Sequence, residues 1–114
     1  MTPLRLPAPR RNKYHAQPVE ADGHRFASKA EARRYRELSL LQRAGQISDL
    51  RVHPSWTLDV NGMFVSKYSA DFAYVEGDRQ VVEDVKGGKT TDAARLRMKL
   101  LQAVTGIQVR EIRR

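Results

Sequence analysis

Asp71, Asp84 and Lys86 are the residues of this chain whose types and spacing could do chemistry together. Two β-prone runs, Tyr68 to Val75 and Val81 to Lys86, flank Glu76-Gly77-Asp78-Arg79. Gly-Asp is a usable two-residue hairpin loop, so a tight antiparallel hairpin is predicted. The register follows: Glu76 faces Arg79, Val75 faces Gln80, Tyr74 faces Val81, Ala73 faces Val82, Phe72 faces Glu83 and Asp71 faces Asp84. Alternation then puts Asp71, Asp84 and Lys86 on one face and turns Glu83 to the other. Directly opposed residues have Cβ atoms about 5 Å apart, where two carboxylates repel by roughly 3 kcal/mol at an effective dielectric near 20. Folding alone does not favour such a pair. A divalent cation between the carboxylates turns the repulsion into binding, because hard cations take oxygen ligands and keep water in their remaining positions. Lys86 can reach the same space and offer a proton or a positive charge to a phosphate.

The elements that must hold these residues are readable on either side. Ser28 is a natural N-cap with Glu31 three residues later, and the run to Leu41 has no breaker before Gly45, so a first helix is predicted. Its buried stripe is Ala32, Tyr35, Leu38 and Leu41, with Arg33, Arg34, Arg36 and Arg43 around it. The capping box alone explains Glu31. Upstream, Asp22-Gly23 can turn a small hairpin between Val19 and Phe26. Downstream, Ile47 and Leu50 are expected to pack a connection. Trp56, Leu58 and Val60 then alternate into Asn61-Gly62, a strong hairpin signal. That pairing sets Val60 against Met63 and Leu58 against Val65, and the second strand runs from about Met63 to Val75 as one face, apolar at one end and acidic at the other. The third strand is Gln80 to Lys86. Gly87-Gly88-Lys89-Thr90-Thr91 breaks it and caps a second helix, Asp92 to about Thr105, stopped by Gly106. Its expected buried stripe is Ala93, Leu96, Leu100 and Val104, with Arg95, Lys99 and Gln102 off it and Arg97 flanking. Ile107 to Ile112 reads as a last strand. The order helix, three strands, helix, strand predicts an α/β fold, a mixed sheet flanked by helices.

Composition bounds the partner. In 114 residues, 21 Lys plus Arg outnumber 13 Asp plus Glu for a formal charge of +8, which on a single small domain is the footprint of a polyanion. Nucleic acid is the expected partner. No apolar run approaches transmembrane length and no signal-peptide core follows the basic start, so no membrane role and a cytoplasmic location are expected. The absence of cysteine excludes disulfides, thiolate zinc sites and cysteine nucleophiles. His15, His24 and His53 match no metal-ligand spacing and read as surface or packing residues. Gly87-Gly88-Lys89-Thr90 has the end of a P-loop, but position 83 is Glu where the first glycine is required, which rejects nucleotide binding. Residues 1–13, with Pro3, Pro7, Pro9, Arg5, Arg10, Arg11 and Lys13, read as a flexible basic arm; residues 14–114 form the single domain.

The pattern αβββαβ, with Asp71 on the second strand and Asp84-Val85-Lys86 ending the third, resembles the PD-(D/E)xK nuclease superfamily. Lys13-Tyr14, Phe26-x-Ser28-Lys29-x-Glu31-Ala32, Gly45-x-Ile47-x-x-Leu50, Tyr68-x-x-Asp71-Phe72 and Glu83-Asp84-Val85-Lys86-Gly87 are similar to small phage and prophage endonucleases grouped near Holliday junction resolvases. The resemblance implies a restriction-endonuclease-like core and a metal-dependent endonuclease of branched or duplex DNA, acting in phage recombination or DNA processing. Asp71, Asp84, the Val85 carbonyl and Glu31 would hold Mg²⁺ or Mn²⁺, and Lys86 would orient the attacking water or stabilise charge on the phosphate. Ala70 stands where the superfamily's name has proline. Arg33, Arg34, Lys89, Arg97 and Lys99 are the candidate contacts to the DNA backbone. Resolvase-like relatives act as dimers, with which a homodimer of this small chain is compatible. Two other readings stand beside this one. The first is a DNA-binding module of the same fold without cleavage. The second, an RNA-binding protein of ribosomal type, leaves the opposed carboxylates unexplained.

Overall fold

The computed structural model describes residues 18–113. The expected basic arm, Tyr14 and His15 lie outside the described residues. The elements in chain order are β1 (Val19–Ala21), β2 (His24–Phe26), α1 (Lys29–Arg43), β3 (Ser48–Val52), β4 (Ser55–Val60), β5 (Met63–Ser69), β6 (Phe72–Glu76), β7 (Arg79–Lys86), α2 (Asp92–Thr105) and β8 (Val109–Arg113). Among the described residues, no helix is long and apolar enough to cross a membrane.

The main sheet has the order β3-β6-β7-β8. β6 runs antiparallel to both β3 and β7, and β8 lies parallel to β7 after the crossover through α2. The fold is therefore α/β with a mixed sheet flanked by helices. Phe72, Tyr74 and Val81 project to one face, where α1 and the β1–β2 hairpin bury them with Phe26, Ala32, Tyr35, Leu38 and Ile47. Ala73 and Val82 project to the other, against Leu101 of α2 and Leu58, Tyr68 and Ala70 from the region of the β4–β5 hairpin. This two-sided burial is what turns β7 into an almost unbroken buried run, including Glu83 and Asp84.

The β6–β7 hairpin has the expected register from Glu76↔Arg79 to Phe72↔Glu83. Gly77 supplies the positive φ of 63° at the first turn position that a type II′ loop requires. Asn61 and Gly62 both have positive φ, as a type I′ turn between β4 and β5 demands. Ser28 caps α1 through its hydroxyl, which accepts from the Glu31 N–H at 3.2 Å, and Thr91 caps α2 in the same way.

Four expectations are corrected. The stretch holding Leu50 is a strand, β3, rather than a connection; a register slip between Ser48 and Arg51, with Asp49 at φ 53°, interrupts the alternation that would have revealed it. The long strand Met63–Val75 is two strands bent apart at Ala70-Asp71, so β4 and β5 form a separate two-stranded sheet inserted between β3 and β6. Leu58 pairs with Ser66 rather than Val65, because β5 carries an extra residue there as a bulge. Met63, Phe64 and Val65, next to the turn of this hairpin, are exposed. Finally, α2 is rotated relative to the expected stripe. It buries Leu101, with Met98 and Leu100 partly covered, while Leu96 is 68% exposed and Val104 40%. Both Ala93-Leu96-Leu100-Val104 and Ala94-Met98-Leu101 have helical spacing, so periodicity could not choose between them.

Candidate functional site

The site begins with the bend. Pairing between the two arms is continuous across it: Val52 pairs with Phe72, the His53 N–H donates to the Asp71 carbonyl at 2.9 Å, the Ala70 N–H donates to the Pro54 carbonyl at 3.0 Å, and Ser55 pairs with Ser69. What breaks is direction. His53 has a φ of 53°, uncommon outside glycine, and Pro54 after it lacks a donor for a straight ladder. The kink brings His53 and Asp71 together at the end of the main sheet, beside the start of α1.

Asp71 sits one residue before the β6 ladder begins, while β7 runs on past it to Lys86. The end of β7 therefore has backbone donors that β6 does not meet, and side chains take over. The Val85 N–H donates to Asp71 Oδ2 at 2.7 Å, and the Asp71 N–H is shared between the Glu83 carbonyl at 3.2 Å and Asp84 Oδ1 at 3.1 Å. The sequence expectation that Asp71 and Asp84 meet is thus realised as an interlock through backbone amides. The Asp84 carboxylate also accepts from the Tyr68 hydroxyl and the Asp71 carboxylate lies against Glu31, and the two acids are close enough that the charge on Asp71 raises Asp84.

Glu31 arrives from the first turn of α1 and is buried. Its Oε2 accepts from the Ala27 N–H at 2.8 Å, one residue earlier than a capping box would use. Glu31, His53 and Asp71 each present a ligand atom, and these atoms all lie within 4.8 Å of one another. Two carboxylates and an imidazole from three separate elements are a donor set that fits a divalent cation. Burial, and next a side-chain hydrogen bond with Glu31, push the Asp71 carboxyl up to about 7; the Val85 N–H and Lys86 pull the other way. Burial likewise raises Asp84, and the charge on Asp71 adds to it against Tyr68 and Lys86. Two buried acids that resist ionisation together mark a place for positive charge. Among the sequence-derived ligands, Glu31 and Asp71 converge here with His53, which spacing had dismissed, while Asp84 and the Val85 N–H reach the cluster through hydrogen bonds with Asp71. The ligand partners of His53 come from distant points of the chain, so no local motif could carry it. The Pro54 that interrupts two alternating runs was the available signal of a bend.

Lys86 Nζ lies 3.9 Å from Asp84 Oδ2. An open cleft of about 280 Å³ adjoins them, lined by Lys67, Tyr68, Ser69, Ala94, Arg97 and Met98. Lys67, Lys86 and Arg97 give it a positive rim suited to a phosphate chain. A larger cavity of about 720 Å³ lies at the opposite end of β7, around Arg79, Gln108 and Arg110, and holds none of the candidate ligands.

The other basic candidates divide. Arg33, Lys89 and Lys99 are exposed. Arg34 is not available for DNA: its Nε and Nη2 donate to the two oxygens of buried Glu83 at 2.8 and 2.7 Å, and its Nη1 to Glu37 at 2.9 Å. Tyr74 also donates to Glu83, and that contact after burial pushes the tyrosine up to about 12. Glu83 does point away from Asp84, as alternation required, and serves to bind α1 to the sheet.

Among solved structures, the crystal structure of protein VC1899 from Vibrio cholerae is similar at 15% identity and a TM-score of 0.48, over 84% of this chain and 29% of that one. The chain thus spans less than a third of that protein. No curated protein matches. A family described as "Protein of unknown function (DUF1064)" matches residues 11–113, and with nearly its whole length inside that match the chain belongs to the DUF1064 family.

Proposed function

We propose that this protein is a Mg²⁺- or Mn²⁺-dependent DNA endonuclease whose site is formed by Glu31, Asp71, Asp84 and Lys86. The observation that carries the reading is the meeting of three carboxylates and a lysine at the end of β7, next to a cleft rimmed by Lys67, Lys86 and Arg97. A divalent cation, when bound, neutralises phosphate charge and makes water a better nucleophile near neutral pH. The chain's own part is positioning. Asp71 and Asp84 are pinned by each other's strands, so their carboxylates need little reorganisation. Tyr68 orients Asp84 from the side of the cleft. Lys86 sits where it can hold a phosphate oxygen or a water against the scissile bond, and Lys67 and Arg97 hold the neighbouring backbone. The resemblance to resolvase-like endonucleases extends the reading to branched DNA, and to work in the cytoplasm of a bacterial or phage-infected cell.

The test incubates the full chain with four-way junction, flap, nicked and linear duplex DNA in Mg²⁺, Mn²⁺ or EDTA. Cutting of at least one substrate with either metal and none in EDTA is expected. If every substrate stays intact, the protein is a binding module rather than a nuclease. Binding supplies a separate expectation. Lys67→Ala and Arg97→Ala should each lower the slope of log affinity against log salt by about one, as loss of one phosphate contact does. Slopes unchanged in both variants, measured by fluorescence anisotropy, would remove the cleft from the DNA path.

A further inference from the structure

We propose that His53 is a ligand of the cation held by Glu31 and Asp71, which makes this a mixed nitrogen and oxygen site that favours a transition metal over Mg²⁺. The inference rests on reading the cluster as a metal centre and adds a residue and a metal preference to it. Its basis is placement. A ring nitrogen of His53 comes within 4.8 Å of a carboxylate oxygen of Glu31 and of Asp71. Its ring packs at a tilt of 52° on Phe26, with centroids 5.8 Å apart, which limits the directions it can take. Its backbone adopts a positive φ, and that kink is what swings residue 53 from the strand toward Asp71. Strain of this kind concentrates at functional positions.

The metal preference follows from ligand chemistry. Mg²⁺ takes oxygen ligands in a near-octahedral shell and gives up water reluctantly, so an imidazole adds little for it. First-row transition ions accept imidazole nitrogen readily, and Mn²⁺ accepts it while remaining at home with carboxylates. The same residues with His53 removed would form an oxygen-only site and should lose that discrimination.

The experiment uses Mn²⁺ alone, without DNA, on the full chain. Electron spin-echo spectroscopy of bound Mn²⁺ reads coupling to a ligand ¹⁴N, and calorimetric titration reads Mn²⁺ and Mg²⁺ affinities. His53→Asn is the main variant, because asparagine tolerates the left-handed backbone; thermal unfolding checks that it is folded, and Asp71→Asn reports on the centre as a whole. The wild type is expected to show nitrogen coupling, which His53→Asn abolishes. Outer partners of metal ligands are worth about 10–100-fold in affinity, so a lost ligand should weaken Mn²⁺ by at least about tenfold while Mg²⁺ changes far less. Mn²⁺ binding that Asp71→Asn destroys but that shows no nitrogen coupling overturns the role of His53 and leaves the metal centre standing. Coupling that persists in His53→Asn overturns it equally, since the nitrogen then belongs to another residue. If the wild type binds no Mn²⁺ at millimolar concentration, both the inference and the metal centre fail.

Discussion

Arg34→Met is expected to cost about 3–5 kcal/mol of folding stability, because it leaves the Glu83 carboxylate buried without its partner. Glu83 is fully buried, and Arg34 meets both of its oxygens in a bidentate arrangement with only 15% of its own side chain exposed. The hydrogen bonds hold the guanidinium above its ordinary pKa, Glu83 contributing most. A domain of this size has roughly 5–15 kcal/mol in all, so the variant should melt about 15 °C or more below the wild type or fail to fold at 37 °C. Adding Glu83→Gln to Arg34→Met removes the orphaned charge and should recover part of the loss, while Tyr74 can still donate to the amide oxygen. Chemical denaturation of the three proteins measures both effects. A loss below about 1 kcal/mol, accompanied by weaker DNA binding, would return Arg34 to the role of a phosphate contact. The pair also matters to the site: Arg34 lies one turn after Glu31, so the ion pair fixes the helix that delivers that carboxylate to Asp71.

Asp71→Asn is expected to stabilise the metal-free protein at pH 8 while removing its metal binding. The folded-state pKa of Asp71 is raised from 3.8 to about 7, chiefly by burial and then by Glu31. Between those values the folded protein holds a proton that the unfolded chain has released, so stability contributed by the protonated acid is full below about pH 4 and is lost as pH rises through 7. The rise corresponds to roughly 4 kcal/mol at most. Asp84 is raised as well and works in the same direction. The groups facing Asp71 are Glu31, His53, Lys86, Asp84 and the Val85 N–H, and asparagine keeps an oxygen for the last of these. In EDTA the wild type should therefore melt progressively lower from pH 5 to pH 8, with Asp71→Asn less sensitive and more stable at the upper end. Saturating Mn²⁺ should restore the wild type at pH 8 and leave the variant unmoved. An Asp71→Asn protein less stable than the wild type in EDTA at pH 8 would mean that the carboxylate supports the fold rather than opposing it.

The parts of this fold that were legible in the sequence are those set by neighbours in the chain. The β6–β7 register came from a Gly-Asp loop and alternation, and both helices begin at hydroxyl caps that local chemistry selects. The parts that were hidden are set by distant packing. The bend at His53-Pro54 needs Ala70 and Asp71 across from it, and only then does Met63–Val75 become two strands. Arg34 and Arg33 look alike on a helix surface, and what separates them is a glutamate on β7 that waits beneath one of them. The candidate site follows the same division. Asp71, Asp84 and Lys86 were found from register, Glu31 from resemblance, and His53 could be found only once three elements were brought to one point.

The single-turnover rate of DNA cutting by wild type and Asp84→Asn, purified side by side and assayed in Mn²⁺ on the best substrate of the panel, bears most directly on the proposed activity. Asp84 is anchored by Tyr68 and by the Asp71 amide, and asparagine can keep the second contact, so the variant should fold. A fall of about a thousandfold is expected, the scale on which loss of a preorganised electrostatic group acts. Equal rates in the two proteins, or cutting by the wild type that persists in EDTA, would contradict a nuclease built on these carboxylates.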